Sequence, residues 1–340
     1  MIDVLVVGGG PAGLATAIRC AQAGLRVTVA ESRAGPIDKA CGEGLMPAAV
    51  ARLHAIGVDP PGRPFRGIRY LDSAHQADAH FRCGPGLGVR RTALHAALAD
   101  RAAQLQIPVL PVRVTGFEQH ADRVTAAGIE ARYLVAADGL HSAIRRSCAL
   151  DAPPARHRRF GLRRHYRIAP WADLVEVYWA PGAEAYVTPV ADDLVGVAVL
   201  GAARGDFDSR LAGFPALADR LAQAEPSGGD RGAGPLRQDV RRRVCANVLL
   251  VGDAAGYLDA LTGEGISVAL AQAAALAECI RRGRPADYER AWRRVSRKSS
   301  LLTAGLLWSR HRRLLAPRIV PAAQAMPWLF TSIVNQVAGA

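Results

Sequence analysis

The sequence has 340 residues, half of them hydrophobic, which is enough chain for two domains or one large composite with a sizeable core. It contains no apolar run of the ~18 residues needed to span a bilayer, and Met1 enters an apolar segment with no basic leader, so neither a transmembrane helix nor a signal peptide is expected. Six scattered cysteines without a CxxC pair argue against a metal site and for a reducing, cytoplasmic setting, and the net charge of +13 comes without a nucleic-acid-binding motif, so no nucleic-acid partner is expected.

Val4 to Val7 reads as a buried parallel strand. It feeds Gly8-x-Gly10-x-x-Gly13 and then a helix from Leu14. In such a fingerprint the first glycine permits the turn and the second admits a pyrophosphate. The third lets helix and strand pack closely. The N–H groups at the helix start face the phosphates. Val27 to Ala30 gives a second strand, and Glu31 at its end, 18 residues after Gly13, suits a ribose hydroxyl. Cys41-Gly42-Glu43-Gly44-Leu45 follows a loop, and its two glycines suggest close backbone approach to something bulky. Residues 47 to 53 predict a short helix with Pro47 in its first turn, residues 60 to 88 a Pro/Gly-rich stretch with short strands such as 68–71, and Arg91 a longer helix. Val109 to Val114 reads as a strand, and residues 121 to 138 as a hairpin ending in the apolar strand 133–137.

Asp138-Gly139-Leu140-His141-Ser142 closes that strand, with Ser142 a candidate N-cap. Residues 157 to 200 alternate as antiparallel strands, 207 to 224 predict helix, and 226 to 235 a Gly/Pro loop. The basic stretch Arg156 to Arg167 either attracts cofactor phosphates or sits exposed on a strand. Asn247 to Val251 is another buried strand and runs into Gly252-Asp253-Ala254-Ala255-Gly256. A long alanine-rich helix follows Leu261-Thr262-Gly263-Glu264-Gly265-Ile266. Residues 285 to 340 predict helices broken at Pro317, Pro321 and Pro327. The Arg- and Leu-rich part from Leu301 to Leu315 either packs on the domain or lies on a membrane surface.

One dinucleotide fingerprint and a distant second strand–turn suit an extended cofactor better than NAD. FAD would place ADP at the first, with the polyol and ring system reaching the second. Asp253 can then accept ribityl hydroxyls. The N–H groups of Gly265 and Ile266, at a helix N-terminus, can stabilise negative charge on the reduced ring.

The motifs 8–13, 138–145 and 252–256 together resemble the para-hydroxybenzoate hydroxylase-like FAD superfamily. Segments 41–45 and 261–266 are most similar to its geranylgeranyl reductase family. The resemblance implies an α/β fold: a Rossmann-type FAD-binding domain interrupted by an antiparallel β-sheet substrate domain, with C-terminal helices. It assigns residues 1–65, 88–150 and 240–284 to the first, 66–87 and 151–239 to the second, and 285–340 to the helices. It also implies NAD(P)H as reductant.

Gly8, Gly10, Ala12 and Gly13 would hold the pyrophosphate and Glu31 the ribose. Cys41, Gly42 and Gly44 would lie along the flavin. Arg91 would reach the phosphate–ribityl part, Val114 would offer backbone to adenine, and Asp253, Gly265 and Ile266 would hold the ribityl chain and ring. No side chain is singled out as the catalytic acid or base. Gly256 stands where hydroxylases usually carry histidine, and Tyr178-Trp179-Ala180-Pro181 matches the prenyl reductases' aromatic segment only in part. The hydroxylase-like segment 138–142 and the short substrate part make monooxygenation of a hydrophobic aromatic or polyketide-like molecule the expected activity. C=C reduction of an isoprenoid or lipid is the alternative. A halogenase, which Lys39 alone would suggest, and a non-catalytic flavoprotein rank lower. Contact of the C-terminal helices with a membrane periphery completes the expectations.

Overall fold

The computed structural model describes residues 1–155 and 157–339, so Arg156, the first residue of the basic stretch, lies outside the described residues. The continuous apolar runs pair as parallel strands. Their order is Val109–Leu110, Val27–Ala30, Ile2–Val7, Ile129–Ala136 and Val248–Leu250, with Val244–Cys245 antiparallel at the edge. Side chains alternate across such a sheet. Val4 and Val6 pack under the helices Pro11–Gln22, Arg91–Gln104 and Gly265–Arg281, while Leu5 and Val7 join Val124, Ala126 and Ile144 on the opposite face. Both faces are covered, which is why these strands read as unbroken hydrophobic runs.

A second sheet of seven strands stands beside the first. Its order is Glu225–Ala233, Phe160–Arg167, Leu194–Gly201, Ala183–Ala191, Val175–Ala180, Gly67–Leu71 and Gln76–His80. All its pairs are antiparallel except Val175–Ala180 with Gly67–Leu71. The helices Phe207–Leu211 and Pro215–Leu221 cover one face through Val195, Val197 and Val199. The other face carries Ile68, Val177, Tyr186 and Ala198 and meets the C-terminal helices Tyr288–His311, Ile319–Ala325 and Pro327–Ala338.

Four expectations need correcting. Residues 226–235, read as a loop, supply most of the edge strand Glu225–Ala233, because backbone pairing to Phe160–Arg167 asks nothing of side chains and outweighs the low propensity of three glycines. The predicted strand Val109 to Val114 stops at Leu110, since Pro111 has no N–H to continue the ladder. The helix predicted over 207–224 is two short helices, the second starting at Pro215. Pro321 does not break a helix. It sits in the first turn of Ile319–Ala325, where a backbone N–H would have no partner, whereas Pro327 does open the last helix.

Candidate functional site

The glycine fingerprint forms a cradle at the C-terminal end of the strand Ile2–Val7. Gly10 is the N-cap of Pro11–Gln22, so the first N–H groups of that helix open toward a large cavity lined by Gly10, Pro11 and Ala12. Glu31 is buried beside it and accepts from Gly9 N–H at 2.9 Å and from the Arg33 guanidinium at 2.7 and 2.9 Å. Burial would raise its pKa, but Arg33 and two backbone N–H groups outweigh burial and hold it at about 2. The carboxylate is therefore fixed as an anion and an acceptor.

The third motif is pressed onto the first. Gly252 has φ +63°, and a Cβ there would come within 2.7 Å of Ala12 Cβ, so only glycine lets the two turns meet. Its N–H donates to Gln272 Oε1 at 2.9 Å, and Gln272 Nε2 in turn donates to Ser296. The second motif is tied to the third by Arg145, a buried guanidinium that donates to Asp151 at 2.5 Å, to Ala254 O at 3.2 Å and to Leu140 O at 3.0 Å. Ser142 caps the short helix Ala143–Ser147 through Arg145 N–H at 2.9 Å, as its position predicts. Asp138 Oδ2 accepts from Ala143 N–H at 2.8 Å, while its Oδ1 is buried without a partner at the cavity wall.

These turns open into one cavity of about 1230 Å³. Gly10, Ala12, Cys41, Gly42, Gly44, Arg91, Asp253, Gly265 and Ile266 all line it. Gly8, Gly13 and Glu31 support the cradle from behind, and Val114 lies off the cavity, packed with Leu5, Val7 and Ala30. Arg91 is buried with Nη1 unpartnered, and burial pushes its pKa down. A buried guanidinium nitrogen without an acceptor, next to Gly10 and a helix N-terminus, is a place for a phosphate. Asp253 is exposed to the cavity. The protein packed around the cavity raises its pKa, against Lys39 and Arg91, which favour the anion. The helix Gly265–Arg281 begins beside it. Phosphate donors, a polyol acceptor and a second helix N-terminus in one cleft fit FAD. Hydrogen bonds to a charged group contribute about 1.5–3 kcal/mol. Asp253→Ala should therefore weaken FAD binding roughly ten- to hundredfold, read as the flavin-to-protein absorbance ratio after gel filtration. Undiminished flavin would remove Asp253 from the site.

The sequence reading missed a buried chain that fastens the cavity loop 41–44 to the second sheet. Glu43 has φ +59° and is buried, with Oε1 accepting from Arg91 N–H at 2.8 Å and Oε2 lying 2.6 Å from His165 Nε2. His165 Nδ1 is 2.9 Å from Arg163 Nη1, and Arg163 pairs with Asp38. A guanidinium has only donors. Nδ1 must therefore accept, and Nε2–H donates to Glu43. The only advance signal was a Glu between two glycines and an Arg-x-His in a strand, 122 residues apart.

An FAD binding domain family matches residues 1–162. Menaquinone reductase of Mycolicibacterium smegmatis is 30% identical over 329 residues, covering 85% of this chain and 79% of that protein. The chain belongs to the para-hydroxybenzoate hydroxylase-like FAD superfamily. It is a flavin-dependent oxidoreductase by family. Digeranylgeranylglycerophospholipid reductase of Methanococcus vannielii is 26% identical over 79% of this chain and 74% of its own length. The flavin-dependent brominase Bmp2 superposes with TM-score 0.84 over 100% of this chain and 94% of that one at 19% identity. A flavoprotein/dehydrogenase from Cytophaga hutchinsonii superposes with TM-score 0.81 over 99% and 93% at 21% identity. At those identities the two structures establish the fold alone.

Proposed function

We propose that this protein reduces a C=C bond in an isoprenoid lipid, with NAD(P)H as the reductant. The observation that carries the reading is the wall of the cavity. Beyond Asp253 and Gly265 the cavity runs between the second sheet and the C-terminal helices, and every residue those helices contribute is apolar or glycine except Ser309 and Arg318. Ile68, Val175, Val177, Ala198 and Leu200 line it from the sheet. The helix side of this wall solvates a long hydrocarbon, while Tyr70, Tyr186, Thr188, Arg204 and Arg210 give the opposite side its polar groups. The relatives named menaquinone reductase and digeranylgeranylglycerophospholipid reductase, matched over most of the chain, support the same reading.

FAD, when bound and reduced by NAD(P)H, would supply a hydride to one alkene carbon and return to its oxidised form, while a proton reaches the other carbon. The chain's own contribution is orientation, exclusion of water and a stock of protons. Cys41 and Tyr257 both line the cavity, and burial raises the pKa of each, so both are held in the protonated form. Gly265 and Ile266 present N–H groups where negative charge would develop.

The test uses the FAD-loaded protein, photoreduced without oxygen and mixed with a geranylgeranyl-bearing quinone in detergent. The expected outcome is rapid return of flavin colour and a product carrying two more hydrogens in its prenyl chain; two more hydrogens on the quinone ring alone would reject C=C reduction. Slow anaerobic reoxidation, together with oxygen incorporation into an aromatic ligand in air, would instead establish the monooxygenase.

A further inference from the structure

We infer that the cavity opens onto a surface that docks on an anionic lipid bilayer, and that substrate enters from the membrane through this mouth. The inference rests on the lipid reading of the cavity and adds its partner. Among the described residues, seven of the ten large apolar side chains left exposed lie between Leu301 and Ile333, concentrated on the segment that walls the cavity rather than scattered along the chain. Leu301, Leu315, Met326 and Ile333 are exposed and also line the cavity, so they are its rim. Trp308, Leu314 and Trp328, on the same segment, do not line the cavity and are exposed by 56%, 76% and 71%.

The patch is set in positive charge. Residues 290 to 340 contain nine Lys or Arg and no Asp or Glu. Arg312, Arg313 and Arg318 are exposed, with the Arg312 guanidinium 5.1 Å from the centre of the Trp308 ring. Tryptophan and arginine around an apolar opening match the interfacial and headgroup layers of an anionic leaflet. A bilayer also explains why the opening lies within the patch, since it both covers the apolar rim and supplies the chain that fills the cavity. A protein partner seated there would close the entrance.

The patch is held rigidly. Arg310 turns inward to the buried Glu184 and donates to Ala180 O at 2.9 Å, which fixes the end of Tyr288–His311 on the second sheet. Asn335 fixes the last helix by donating to His80 O at 2.9 Å and accepting from Arg82 N–H at 2.8 Å. No described helix is long and apolar enough to cross a membrane, so the attachment is to one leaflet.

The test is flotation of the FAD-loaded protein with vesicles of phosphatidylglycerol and phosphatidylcholine, and of phosphatidylcholine alone, without turnover. Binding is expected to the anionic vesicles and to fall with added salt. Arg312→Gln with Arg313→Gln, and separately Trp308→Ser with Trp328→Ser, should each weaken it about tenfold or more. Flavin content and reduction of the detergent-dispersed quinone should stay unchanged, because none of the four lines the cavity. No binding to anionic vesicles, or binding equal in wild type and both variants, overturns the inference. So does a concentration-dependent dimer that the tryptophan variant abolishes while vesicle binding is absent, which would assign the patch to a second copy. Vesicle binding without quinone reduction leaves the surface standing and rejects the proposed reaction. Reduction in detergent without vesicle binding does the reverse.

Discussion

Gly13→Ala is expected to abolish FAD binding and to leave little folded protein. A Cβ at Gly13 would sit 1.8 Å from Gly8 O and 3.2 Å from Ala137 Cβ. The first of these atoms is backbone at the exit of the central strand, with no rotamer into which to retreat. Overpacking a core that can yield costs about 1–3 kcal/mol. Here the helix must move off the sheet, so the cost should reach a large share of the roughly 5–15 kcal/mol that holds a domain together. That helix also carries Ala12 against Gly252, so any shift separates the first and third motifs. Gly116→Ala is the control: nothing lies within 4 Å of its Cβ and it should be near neutral. Soluble yield, Tm and bound flavin read the result together. A yellow Gly13→Ala protein with wild-type Tm would refute the close-packing role.

The parts legible in the sequence are those whose physics is local. The fingerprint 8–13, the Ser142 cap and the starts of the helices at Arg91 and Gly265 each follow from a few adjacent residues. The buried parallel strands were legible because burial on both faces leaves an unbroken apolar run. The illegible parts depend on distant partners. Glu225–Ala233 is a strand only because Phe160–Arg167 offers it hydrogen bonds. Arg145 sits on the short helix that Ser142 caps, and its bond to Ala254 O, 109 residues away, is a product of the fold that no local pattern announces. The C-terminal helices were legible as helices, but their role as a cavity wall was not, because amphipathic spacing says that a face is buried without saying against what.

Glu43 illustrates the same limit and should be the most sensitive polar position in the site. Two buried donors, Arg91 N–H and His165 Nε2–H, converge on its two carboxylate oxygens. Glu43→Ala would leave both without an acceptor, at about 1–3 kcal/mol for each. Glu43→Gln should be little better. An amide has a single oxygen, so its NH₂ would face either a backbone N–H or an imidazole N–H, donor against donor. His165 cannot turn its ring to help, since Nδ1 already accepts from Arg163. The expected result is a fall in Tm for both variants and reduced flavin occupancy, because the loop they anchor carries Cys41, Gly42 and Gly44 along the cavity. A double-mutant cycle of Glu43→Gln and His165→Gln should give a coupling of at least about 1 kcal/mol, as expected for contacting groups in one hydrogen-bond network. Additive effects would mean that the pair does not act as a unit. Wild-type Tm and full flavin content in Glu43→Gln would show that the carboxylate is not what binds the cavity loop 41–44 to the second sheet.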